Sequence, residues 1–168
     1  NAGMYATDYR THVGYLRAGE HVNCPSTNPY QSVAAFGPKR EGIPPFRIYD
    51  LDGPGVSLAA INQEYDCVVQ NLRLIKRPRL NRWQSQGNGW SEAALGEDSQ
   101  GRALFIFSRS PFSMHDFNKI LMELPIDLVC AQHLEGGPEA QLFVRTAAVE
   151  LEQIGSYETA FNPNDANQ

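Results

Sequence analysis

The chain is short of cysteine, of positive charge and of long apolar runs. Only Cys24, Cys67 and Cys130 occur in 168 residues, so at most one internal disulfide can form. No cysteines lie in a paired metal-ligand spacing, and neither a metal site nor a cofactor is expected. Lys and Arg number 14 against 19 Asp and Glu, for a net charge of -5. That balance argues against nucleic acid as the main partner, because phosphate backbones are held by clustered cations. No apolar stretch reaches the roughly 20 residues needed to cross a bilayer as a helix, so membrane insertion is not expected. No signal-peptide pattern opens the sequence, and no internal repeat is visible.

What is present is ordinary for a globular chain: 42% hydrophobic and 20% charged residues, enough for one domain with a sizeable core. One basic run stands out, Arg73-Leu74-Ile75-Lys76-Arg77-Pro78-Arg79 with Arg82. It reads as a solvated loop, with a local anion site as the alternative.

Short strands are expected at Met4-Tyr5, Val13 to Leu16, His21-Val22 and Ser32 to Phe36. Cys24 to Gln31 is rich in Pro, Ser and Asn and reads as an irregular loop. Phe46 to Leu51 alternates apolar and polar residues with the period of a half-buried strand. Cys67 to Ile75 is β-rich but contains the polar pair Gln70-Asn71. Buried amides need partners, so this pair is either satisfied structure or the wall of a site. Gln84 to Ser91 reads as a loop able to cover a cleft. Ala93 to Gly96 is expected to pair with Arg102 to Phe107 across the turn at Asp98 to Gly101.

One helix can be argued from its ends. Ser113 is a good N-cap, and Asp116 can reach back as in a capping box. Phe112 and Phe117 occupy the hydrophobic-staple positions. Phe117, Ile120, Leu121 and Leu124 follow the i, i+3, i+4, i+7 spacing, and Pro125 closes the helix. The helix, about 113–124, joins a strand ending at Phe107-Ser108 to one running from Leu128 to Leu134. Such a unit is most simply a right-handed parallel crossover. Its geometry brings Ser108-Arg109-Ser110, Ser113-Met114-His115 and Glu135-Gly136-Gly137 to one edge, where ligands of α/β units commonly sit.

The stretch Cys130 to Ala140 organises the rest. It reads as a buried strand ending in a double-glycine turn between Glu135 and Glu139. Two glycines allow positive φ and close approach of a ligand to amide N–H groups. A helix N-terminus nearby favours anions and disfavours the charged form of His115. Against this stands a plain hairpin with solvated glutamates, and a surface ion pair for Arg109.

Three motifs resemble the phosphodiester glycosidase family, which includes the enzyme that uncovers mannose 6-phosphate on lysosomal glycoproteins. Asn1-Ala2-Gly3-Met4-Tyr5 is similar to its opening motif of Asn, a small residue, Gly, then Met or Phe and an aromatic. Val69-Gln70-Asn71 resembles its central strand, and Leu134-Glu135-Gly136-Gly137-Pro138 its late Leu-Asp-Gly-Gly turn. Glu135 replaces the usual Asp. Ser91-Glu92-Ala93-Ala94-Leu95-Gly96 stands where the family has an Arg-Thr-Ala-x-Gly strand, and Leu72-Arg73 where it has Gly-Pro.

The resemblance implies an α+β fold, a mixed and largely antiparallel sheet with few helices. It implies a domain over 1–150 continuing past both ends, with a polar segment at 151–168. It implies hydrolysis of a sugar 1-phosphodiester, or else a non-catalytic module that binds glycan or sugar phosphate, in a secreted, periplasmic or envelope setting. The roles it suggests are Glu135 as acid/base, with Arg109 and the Gly136 and Gly137 amides on phosphate. Asn1, Gly3, Gln70 and Asn71 would bind substrate, with Asn1, Gln70 and Asn71 on sugar hydroxyls or phosphate oxygens, and His115 and Glu139 would assist.

Overall fold

The computed structural model describes residues 3–156. In chain order the strands are β1 (Leu16–Ala18), β2 (His21–Cys24), β3 (Ser32–Pro38) and β4 (Phe46–Asp50). Helix α1 (Leu58–Glu64) follows, then β5 (Tyr65–Asn71), β6 (Arg73–Lys76), β7 (Leu80–Asn81), β8 (Trp90–Asp98) and β9 (Ala103–Phe112). Helix α2 (Met114–Glu123) leads to β10 (Leu128–Gly136), a 3-10 turn at Gly137–Glu139, β11 (Gln141–Arg145) and β12 (Glu150–Ile154).

The strands form two five-stranded sheets, ordered β2-β1-β5-β3-β4 and β7-β6-β10-β8-β9, plus the hairpin β11-β12. Every strand pair within them is antiparallel. The fold is therefore α+β. The expected crossover exists with one difference. Strands β9 and β10 run parallel to each other, but β8 lies between them.

The chain passes from one sheet to the other at Leu72. Successive side chains of a strand face opposite ways, and this sorts the core into layers. Ala34, Phe46 and Ile48 meet Leu95 and Cys130 between the sheets. Val33, Ala35 and Val68 face outward beneath Ile61 of α1. Leu74, Ile75, Ala94 and Ala131 face α2 through Met114, Phe117 and Leu121. Burial between the sheets pushes the Cys130 thiol up to about 12, so it stays protonated.

Helix α2 begins as its sequence dictates. Ser113 Oγ accepts from the Asp116 N–H at 3.2 Å and donates to its carboxylate at 2.8 Å. The buried face, however, is Met114, Phe117, Asn118 and Leu121. It is rotated from the expected one, leaving Leu124 exposed. Asn118 is accommodated because its amide donates to the Leu74 carbonyl at 2.8 Å and to Asn81 Oδ1 at 3.2 Å. Ser113→Ala is expected to cost about 1 kcal/mol, measurable as a shift in the urea midpoint. An unchanged midpoint would show the cap to be redundant. Helix α1 was not foreseen, because seven residues are too few to establish a helical period.

The basic run is not a solvated loop. Arg73 bonds Asp50 at 3.1 Å and Asp52 at 2.7 Å, Lys76 pairs with Asp52 at 2.9 Å, and Arg77 with Glu97 at 2.5 Å. Arg79 donates to the carbonyls of Leu128 and Met122. Arg73 and Lys76 lie in β6 and Arg77 just after it, where they close the fold, while Arg79 and Arg82 are exposed. Glu97 is fully buried and also accepts the Ile48 N–H at 2.7 Å, tying β8 in one sheet to β4 in the other.

Candidate functional site

The opening motif meets the central strand. Gly3 has φ +154°, and a Cβ there would stand 2.3 Å from Asn71 Nδ2 and 2.6 Å from His12 Nε2. Only glycine fits so close an approach. Asn1 lies outside the described residues. Asn71 accepts the Leu72 N–H on Oδ1 at 2.7 Å, while its Nδ2 is buried with no partner among the described residues. His12 is the complement. Burial holds its pKa below the ordinary value, so the ring is neutral. Its Nδ1 donates to the Gly14 carbonyl at 3.0 Å, which leaves Nε2 a buried acceptor with no partner among the described residues.

Gln70 is placed differently from Asn71, because neighbouring residues of a strand face opposite sides. It points away from the second sheet. Its Oε1 accepts from the N–H groups of Tyr15 at 3.1 Å and Asn28 at 3.2 Å. Its Nε2 donates to the carbonyls of Asn28 at 3.0 Å and Tyr30 at 2.6 Å. The amide is saturated and holds the 28–30 loop. The suggested substrate-binding role of Gln70 is corrected on that ground.

The late motif reaches the same region through β10. The His133 N–H donates to the Leu72 carbonyl at 2.9 Å, next to Asn71. On the face turned toward α2, His133 Nδ1 lies 2.6 Å from Glu92 Oε1, and both side chains are buried. Trp90 Nε1 donates to the other Glu92 oxygen at 3.1 Å. Trp90 also fills the space a Cβ on Gly136 would need, at 2.8 Å. Glu135 is half-buried beside this pair and adds its negative charge to both members.

Burial pushes Glu92 upward, against the pull of His133. Burial opposes a charge on His133, but the Glu92 carboxylate and, behind it, Glu135 outweigh this and raise it above its ordinary 6.5. Both members are therefore shifted toward holding a proton. The sign for stability follows. A group whose pKa rises on folding stabilises the fold below the unfolded value and loses that contribution as pH climbs through the folded one. Unfolding free energy is expected to fall as pH rises above about 6.5, and His133→Gln should flatten that slope. A slope identical in the variant would remove the pair as its source.

The backbone edge drawn from the sequence exists: Phe112 pairs with Trp90, and Ser108 and Gly136 both pair with Glu92. The side chains diverge from it. Arg109 Nε bonds Ser156 Oγ at 3.3 Å, and the Arg109 carbonyl accepts from Ser91 Oγ at 2.5 Å. It is thus directed to the segment after β12. His115 is half-buried and bonds Asp116 at 3.1 Å, within its own helical turn. Glu139 is exposed. The double-glycine turn is filled by protein, since a Cβ on Gly155 would stand 2.2 Å from the Gly137 carbonyl. Gly137 is buried with φ +68°, and the Gly136 N–H bonds Glu135 Oε1 at 3.3 Å. An open amide cradle is not the arrangement found.

Two clefts flank the 84–89 loop. One of about 440 Å³ is lined by Tyr30, Gln31, Leu72, Arg82, Trp83 and Gln86. A smaller one of about 220 Å³ lies at the tip of α2, between Gln86, Asn88, Phe112, Ser113 and Asp116. Trp90 and Ser91, expected in the loop, belong to β8. Among the described residues no three His, Cys, Asp or Glu side chains are grouped to hold a metal.

With this geometry in hand, comparison with known proteins is informative. A family model for phosphodiester glycosidase matches residues 1–167. The chain belongs to the phosphodiester glycosidase family. Among solved structures, the zebrafish N-acetylglucosamine-1-phosphodiester alpha-N-acetylglucosaminidase catalytic domain, auto-inhibited by its pro-peptide, is similar in fold. The TM-score is 0.60 at 14% identity, covering 84% of this chain and 51% of that one. The chain thus spans about half the length of that structure. No curated protein sequence matches it at a significant level.

Within this phosphodiester glycosidase domain, Glu92 lies in the stretch Ser91 to Gly96 that departs from the family pattern, and its partner His133 immediately precedes the Leu134-Glu135-Gly136-Gly137 turn. The sequence reading missed this pair. The two residues are far apart in the chain, and no short motif joins them. The one available signal was a charge interrupting the apolar register of β8.

Proposed function

We propose that this domain binds a sugar 1-phosphodiester and hydrolyses it, with Glu135 as the acid/base. The observation that carries the reading is the contact of Gly3 in the opening motif with Asn71 of the central strand, next to the Leu72 carbonyl that accepts the N–H of His133, the residue before the late turn. Hydrolysis takes up one water and releases the sugar and a phosphomonoester. A carboxylate able to move a proton suits that step, and Glu135 is the half-buried carboxylate of the group. The pair would keep Glu135 in place and set its charge environment. Asn71 Nδ2 and His12 Nε2, a donor and an acceptor with no partner among the described residues, would match the two-way hydrogen bonding of a sugar hydroxyl. Arg82 and Trp83, at the cleft that shares Leu72 with the His133 contact, would supply a cation and an aromatic surface. The name of the zebrafish relative suggests an N-acetylglucosamine 1-phosphodiester as the first compound to try. A secreted, periplasmic or envelope setting goes with this reading.

One observation favours a second reading, a non-catalytic glycan-binding module. Two carboxylates, Glu92 and Glu135, stand together where a phosphate must approach, and Arg109 is held by Ser156. The deciding experiment is incubation of the chain with an N-acetylglucosamine 1-phosphodiester, followed by phosphorus NMR and calorimetry. A phosphomonoester signal growing with time supports hydrolysis. Saturable binding without that signal supports the module, and the absence of both turnover and binding overturns both readings.

A further inference from the structure

The hairpin β11–β12 carries apolar side chains into water on both of its faces. Phe143 is 59% and Ile154 51% exposed on one face, and Val144 and Leu151, a cross-strand pair, are exposed on the other. A two-stranded sheet is at best marginally stable in water by itself. Its backbone bonding has a fixed parity. The Thr146 N–H donates to the Val149 carbonyl at 2.8 Å beside the turn, and the Gly155 N–H to the Ala140 carbonyl at 2.7 Å at the base. Alternate residues of an antiparallel strand bond the same neighbour. Leu142 and Val144 therefore bond β12, while Gln141, Phe143 and Arg145 aim their N–H and C=O groups away from it. No strand among the described residues takes up that outer edge. An open row of this kind is a template for another strand.

We propose that the outer edge of β11 pairs with β11 of a second copy, antiparallel about Phe143, to give a twofold-symmetric four-stranded sheet. The register complements itself. Phe143 exchanges N–H and C=O bonds with its counterpart, and Gln141 does the same with Arg145. Between them Leu142 stands opposite Val144, an apolar pair on the other face. No like charges meet. The edge of β12 fails the same test, because pairing about its middle residue, Glu152, sets two carboxylates opposite each other, which is destabilising. A patch that complements itself about one axis closes at two copies.

The test is sedimentation velocity on the whole 168-residue chain, with amide hydrogen exchange by NMR at low and high protein concentration. One short strand edge makes a small interface, so a dimer with a Kd on the order of 10 µM is expected. The N–H groups of Gln141, Phe143 and Arg145 should gain protection as concentration rises, and those of Glu150, Glu152 and Ile154 should not. Phe143→Asp places two carboxylates across the twofold axis and should weaken the dimer by about 100-fold or more. Glu152→Gln, on the outer strand, should leave it unchanged. A chain that stays monomeric at about 200 µM, well above that Kd, overturns the proposal and leaves the face to another segment or another protein. Protection of the β11 amides that does not depend on concentration overturns it too, as does a dimer that survives Phe143→Asp. Should that variant fail to fold, the exchange pattern of the unmodified chain still decides.

Discussion

Replacing Glu135 with Gln is expected to slow hydrolysis of an N-acetylglucosamine 1-phosphodiester by about 10²–10⁴-fold, the range over which a positioned acid or base contributes. That is about 3–5 kcal/mol of barrier. The variant keeps the shape of the side chain and an oxygen able to accept the Gly136 N–H, now bonded at 3.3 Å. Folding should therefore be preserved and the loss should fall on kcat, not on KM. Turnover equal to that of the unmodified chain would remove Glu135 from the reaction. A loss confined to KM would recast it as a binding residue.

Glu97→Ala should produce a large loss of stability. Glu97 is buried where the sheets face each other and holds Arg77 at 2.5 Å, Arg47 at 3.3 Å and the Ile48 N–H at 2.7 Å. Removing the carboxylate leaves a backbone donor unsatisfied and a guanidinium without its counter-charge. Breaking a buried pair in this way costs about 3–5 kcal/mol. Because the Arg77 side chain is 26% exposed and water can reach it, the lower end applies. Urea denaturation measures the loss directly. Arg40→Ala is the control, since its pair with Glu64 at 3.2 Å is largely exposed and should be worth less than about 1 kcal/mol. If the two variants lose similar stability, Glu97 does not tie the sheets together.

The local elements were legible because their determinants lie within a few residues. The cap at Ser113, the turn between β8 and β9 and the close of α2 before Pro125 all depend on short-range geometry. The buried face of α2 was not legible. Asn118 is buried because Leu74 and Asn81 receive its amide, and neither is near it in sequence. The basic run was misread for a similar reason. Its ion partners Asp50, Asp52 and Glu97 come from other strands.

The sequence by itself determined the family, through three motifs in order, and the elements that local spacing can specify. Which of those residues share a site was decided only by the tertiary structure. Strand parity sends Gln70 outward and Asn71 inward, and sheet order sets Glu92 beside His133 while Ser156 holds Arg109. A strand's two faces are equivalent until neighbouring strands and the opposing sheet give one of them a layer to meet.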